Sequence, residues 1–142
     1  MRTLIAFLLL GSPALAWDFS PDPICRISEK QDLVEINLTF DHASGVYAIA
    51  FTKLEAPWDQ GQQFSIRFEG PRPKLIRTDR HVFSVDGYTL TARDTGFGNV
   101  LDGLQYNTLA ALETGDERIF IQIHKSFPAM EAFRKCVKAI RI

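Results

Sequence analysis

Asp79, Arg80 and His81 stand side by side in the chain: an acid, a guanidinium and an imidazole. On an extended strand Asp79 and His81 share one face, and Arg80 takes the other. A carboxylate beside an imidazole is the arrangement that orients a general base. No nucleophile accompanies the pair, because the chain has no Gly-x-Ser-x-Gly elbow. Just upstream, Arg72, Lys74 and Arg77 recur with only Glu69 and Asp79 to offset them. A local basic cluster of this kind suits an anionic ligand or polymer. Downstream, Phe97, Asn99 and Asp102 are interleaved with Gly96, Gly98 and Gly103. Glycines permit tight turns and close backbone approach, and Asn or Asp side chains brace a loop through its backbone. Residues 97–107 are therefore read as a ligand-facing loop. The candidate binding residues are Arg72, Lys74, Arg77, Asp79, His81, Phe97, Asn99 and Asp102.

Asp94-Thr95-Gly96 matches the triplet that carries the catalytic carboxylate in aspartic proteases, where two carboxylates share a proton. Its flanks depart from that pattern, with Arg93 before it and Phe97 after it, and a turn at a strand end uses the same Asp and Gly. His42, His81 and His124 are scattered singly, and no His-Glu-x-x-His or Cys-x-x-Cys spacing occurs, so no metal or cofactor is expected. The chain also lacks the Gly-x-x-x-x-Gly-Lys-[Ser/Thr] phosphate loop. Its formal net charge of −1 provides no strong field to draw in nucleic acid.

These side chains must be positioned by a single domain. The chain has 142 residues, 46% hydrophobic and 23% charged, which fits one globular unit and argues against a disordered chain, collagen-like repeats or a coiled coil. Met1 and Arg2 precede a short apolar run, and Ala14-Leu15-Ala16 has the small residues of a cleavage site. Residues 1–16 are thus expected to be a secretory signal peptide, leaving a mature chain with no membrane-inserted segment. Cys25 and Cys136 are the only cysteines. In an exported protein an even count implies a disulfide, here tying the two ends of the fold. Loop closure on that scale is worth up to roughly 4–5 kcal/mol.

Hydrophobic periodicity supplies most of the elements. Val34, Ile36, Leu38 and Phe40 alternate with polar residues, and so do Tyr47, Ile49 and Phe51, with a turn at 42–45 between them. Period 2 predicts two half-buried strands in a hairpin. Phe64, Ile66 and Phe68 predict another strand, and residues 24–28, 75–78, 81–84, 89–93 and 118–124 further short ones. Asp86-Gly87 marks a hairpin turn. Residues 108–114, followed by Gly115, read as a two-turn helix. Met130, Phe133, Val137 and Ile140 recur at helical spacing behind Ser126, a candidate cap, and Pro128. The expected fold is mainly β: an antiparallel β-sandwich or partly open barrel with a short helix and a C-terminal helix packed on the sheet.

Several segments carry a resemblance: Thr78-Asp79-Arg80-His81, residues 96–104 (Gly-Phe-Gly-Asn-Val-Leu-Asp-Gly-Leu) and Ala132-Phe133-Arg134-Lys135-Cys136. Through them the chain resembles a group of small exported proteins of alphaproteobacteria, which implies a periplasmic protein and implies no activity. The last third is similar to the invasion-associated locus B family, whose members end in a short helix, a strand and a terminal helix. Ala43-Ser44-Gly45-Val46-Tyr47 is similar to a Ser-Gly loop of periplasmic lysozyme inhibitors. The expectation is a non-enzymatic periplasmic binding module for an envelope component or protein partner. A periplasmic enzyme inhibitor or a small hydrolase using Asp79, His81 or Asp94 are the alternatives.

Overall fold

The structure, a computed structural model, describes residues 17–139. The expected signal peptide and the last positions of the expected terminal helix, Ile140 among them, lie outside the described residues. A six-stranded antiparallel sheet has the order β1 (Asp18–Ser20), β2 (Cys25–Lys30), β3 (Val34–Asp41), β4 (Val46–Lys53), β8 (Thr89–Asp94), β7 (Val82–Phe83). A four-stranded sheet has the order β10 (Glu117–Gln122), β9 (Leu109–Thr114), β5 (Phe64–Glu69), β6 (Lys74–Thr78). Helix α1 spans Gly98–Tyr106 and α2 spans Phe127–Lys138.

The alternation read from the sequence builds the core directly. Register places Ile27, Leu38, Ile49 and Ala92 in one row across the larger sheet. Ile119, Leu112, Ile66 and Ile76 form the matching row of the smaller sheet. Both rows are buried until their last members, Ala92 and Ile76, which are only partly so. Burying each Ile, Leu or Phe is worth about 1.5–3 kcal/mol, so these rows fix which face of every strand looks inward. The β3–β4 hairpin turns at Gly45, φ +69°, where the Gly45 N–H donates to the Asp41 carbonyl. Asp86-Gly87 turns the β7–β8 hairpin as expected, and the Asp86 carboxylate accepts from Ser84 Oγ and the Tyr88 N–H. Those two bonds, the Ser84 one foremost, hold the Asp86 pKa below the usual carboxylate range.

The disulfide joins Cys25 on β2 to Cys136 on α2, across 111 positions, and fixes the terminal helix to the larger sheet. Arg134 of α2 reaches Asp102 and Gln105 of α1, both at 2.6 Å, so the two helices brace each other. On one side the gap between sheets is stitched by Gln31. Its Nε2 donates to the Gln122 carbonyl at 2.7 Å, and its Oε1 accepts the Gln122 N–H at 3.0 Å. A single side-chain amide thus takes both backbone groups of Gln122, at the end of β10, as a strand residue would.

Three expectations are corrected. Residues 109–114 form a strand, not a helix, pairing with both β5 and β10. Ala110, Ala111 and Leu112 are all buried, so the strand is covered on both faces and shows no alternation. The glycine-rich stretch is largely helical rather than a loop. Its Gly103 is the place where the Phe68 ring packs, because an added Cβ would lie 2.3 Å from that ring. Ser126 precedes α2 but makes no capping bond; its buried Oγ donates to the Leu104 carbonyl instead.

Candidate functional site

The connection from β6 to β7 passes from the smaller sheet to the larger, and beside it the sandwich stays open. β6 pairs only with β5. β7 is two residues long and pairs only with Leu90 and Thr91, so residues 92–94 of β8 have no neighbour on that side. Two unpaired backbone edges therefore face a common gap, and the gap is a cleft of about 490 Å³. That lies within the ~300–1,000 Å³ of small-molecule and side-chain sites. Its floor is Ile49, Phe64, Ile66, Ile76 and Ala92, the last members of the two core rows and their neighbours. The small side chain of Ala92 leaves the room.

One end of the cleft is closed by Phe97, which is buried and stacks on Tyr47 with ring centroids 5.3 Å apart. Behind Phe97 begins α1, whose Gly98, Asn99 and Val100 border the cleft and whose first turn has no side-chain cap. Arg77, Arg80, Arg93 and Asp94 complete the lip. Arg80 and Asp94 lie 3.5 Å apart, and with the Arg80 side chain 78% exposed this pair contributes little to stability. Arg77 and Arg93 have no ion-pair partner among the described residues. They occupy outward positions on β6 and β8, so their charge flanks the mouth rather than filling it. Three guanidinium groups against one carboxylate give the mouth a positive field on a chain that is slightly acidic as a whole.

Three of the sequence-derived candidates meet here: Arg77, Phe97 and Asn99. Lys74 stands next to them, with its Nζ donating to Asn99 Oδ1 at 3.2 Å and 4.0 Å from Asp102. Asp102 is held chiefly by Arg134. Arg72 lies over the Tyr106 ring, 4.2 Å from its centroid, and its backbone N–H and carbonyl are clasped by the Asn107 side chain. Asp79 is exposed in the connection before β7, outside any strand, so it does not share a strand face with His81. The His81 ring packs against Phe64 and Phe83, and its Nε2 lies 2.9 Å from the Gly61 carbonyl. With Nε2–H donating there, Nδ1 is buried without a partner. Asp94 borders the cleft; Asp79 and His81 do not.

Sequence reasoning passed over Arg93, Ala92 and Ile76 as site residues. The available signal was a small residue, Ala92, at an inward position beside a Leu, where a large one would be expected. The loop of Ser44 is a tight, exposed turn between β3 and β4. Among the described residues no three His, Cys, Asp or Glu side chains are grouped to hold a metal ion, and no helix is long and apolar enough to cross a membrane. Compared with known proteins, the chain gives no significant match to a family model, a curated protein or a solved structure.

Proposed function

We propose that the protein is a periplasmic binding module without catalytic activity, exported by residues 1–16, and that the inter-sheet cleft is its binding site for an envelope component or protein partner. The observation that carries this reading is the combination of an apolar floor with an arginine-bearing mouth at the open edge of the sandwich. A floor of Ile, Phe and Ala rewards an apolar group, and the mouth selects one that also carries negative charge. The disulfide accords with an oxidising compartment outside the cytoplasm. A hydrolase would need its acid, base and nucleophile within hydrogen-bond reach of one another, and Asp94 stands at the cleft without Asp79 or His81.

The test uses anilinonaphthalene sulfonate, an apolar ring system with one anionic group, titrated into the oxidised protein. Saturable one-to-one fluorescence enhancement is expected. Ala92→Phe, which fills the cleft, should weaken binding at least tenfold while the urea midpoint stays native-like. Arg77→Ala with Arg93→Ala should weaken it several-fold and flatten its salt dependence. Absence of binding, or binding that Ala92→Phe leaves untouched, refutes the assignment.

A further inference from the structure

We propose that the group received by this cleft is an extended acidic segment of a partner protein, added to the smaller sheet as a fifth strand along β6. This rests on the reading of the cleft as the binding site and names its occupant. The first support is the contrast among sheet edges. On the β10 edge the Gln31 amide holds the backbone of Gln122, the last residue of that strand. β1 has three residues, is followed by Pro21 and Pro23, and lies against α2. β7 has two residues. β6 has five, pairs with β5 only, meets α1 through Lys74 at its start, and has an outer edge that borders the apolar cleft from Ile76 to Thr78. Natural sheets blunt such edges, and an edge left free beside a pocket is the geometry of strand addition: main-chain bonds hold the guest while alternate side chains enter the pocket.

The second support is where those side chains would go. The row Ile119, Leu112, Ile66, Ile76 stops at β6. A strand laid next to β6, about 4.8 Å further on, continues that row over the cleft and turns every second side chain toward Ala92 and Ile49. Its other side chains share the outward face with Arg77. An acidic residue at that position meets a guanidinium group that has no ion-pair partner among the described residues. A second copy of β6 paired antiparallel about Ile76 would set Arg77 against Leu75 and bring no anion to the guanidinium group, whereas an acidic guest supplies one. A single-chain anionic amphiphile satisfies floor and mouth but leaves both backbone edges unused.

The probe is an N-acetylated, C-amidated heptapeptide alternating Glu with Val and Leu. Two further versions carry backbone N-methyl groups on the odd or on the even residues, which removes donors without altering side chains. Strand addition expects saturable binding of the parent by calorimetry. One methylated version should lose at least tenfold in affinity and the other should stay within threefold, because only alternate amides face the host strand. Amides of residues 74–78 should exchange more slowly in the complex, and a Lys-for-Glu peptide should bind at least tenfold more weakly. Equal binding by both methylated versions overturns the strand pairing. Binding of the sulfonate fluorophore or of dodecanoate without binding of the peptide also overturns it, and leaves the cleft a small-molecule site. If neither peptide nor fluorophore binds, the assignment of the cleft falls as well.

Discussion

Gly103→Ala should destabilise the fold even though it replaces the poorest ordinary helix former with the best. Gly103 lies inside α1, where alanine is worth about 1 kcal/mol on propensity alone. An alanine Cβ there would meet Phe68 Cδ2 and Cε2 at 2.3 Å and Cζ at 2.6 Å. Phe68 is 1% exposed on a strand flanked by two others, so its ring has no free direction in which to retreat. Overpacking of a dense core costs about 1–3 kcal/mol, and so close a contact belongs at the upper end of that range. The net expectation is a loss of about 2 kcal/mol, or a fall in Tm of about 6–10 °C for a domain of this size. Urea denaturation followed by tryptophan fluorescence is suited to it, since Trp17 and Trp58 are each 4% exposed and become exposed on unfolding. Phe68→Leu in the same background removes the clashing ring edge, so the double-mutant cycle should show about 1 kcal/mol or more of favourable coupling. A Gly103→Ala protein as stable as the parent, or more stable, with an unchanged m value, would show that α1 is not seated on Phe68 in this way.

The remaining expectations are simpler. Cys25→Ala with Cys136→Ala should lower stability by about 4–5 kcal/mol, as expected for opening a loop of 111 positions; a reductant should cost the parent a similar amount and the variant nothing. Asn107→Ala should lose about 2–3 kcal/mol by thermal denaturation, because its buried amide serves the Arg72 N–H, the Arg72 carbonyl and the Gly103 carbonyl at once. Glu29 is raised above the ordinary carboxylate value, chiefly by burial. The folded state therefore holds that proton more tightly than the unfolded one, and stability declines as pH rises from the ordinary value through the raised one. Glu29→Gln should accordingly be more stable than the parent at pH 7, with the gap closing below about pH 4 in urea titrations at each pH.

Period-2 alternation in residues 34–41, 46–53 and 64–69 was enough to read three strands with their inward faces, because each has one wet side. The Asp86-Gly87 turn, the spacing of Met130, Phe133 and Val137 behind Pro128, and the pairing of two lone cysteines were equally legible. β9 was not, because a central strand buried on both faces carries no period, and its Ala, Leu and Glu favour a helix until two neighbouring strands claim the backbone. α1 was hidden by its glycines, and the reason for Gly103 is a ring 35 positions upstream. The cleft is assembled from β4, β5, β6, β8 and the start of α1, with no motif among them. Its openness follows from the chain changing sheets between Thr78 and Val82, a choice of path that the local pattern does not encode. Arg77, Phe97 and Asn99 were singled out for charge and for their unusual setting. Their meeting is a product of topology.

The covalent clasp also constrains the order in which the chain can be completed. Cys25 belongs to β2, near the start of the described fold, and its partner arrives only with the last helix. No other cysteine occurs between them. While the polypeptide emerges from a ribosome or a translocation channel, the Cys25 thiol has no partner within its own chain for more than a hundred residues. Between these two cysteines no wrong disulfide can be drawn; the protein thiols available to Cys25 at that stage belong to other molecules. Disulfide mispairing of Cys25 with another protein thiol must therefore join separate molecules, and its frequency must rise with the density of nascent copies rather than with the complexity of the fold.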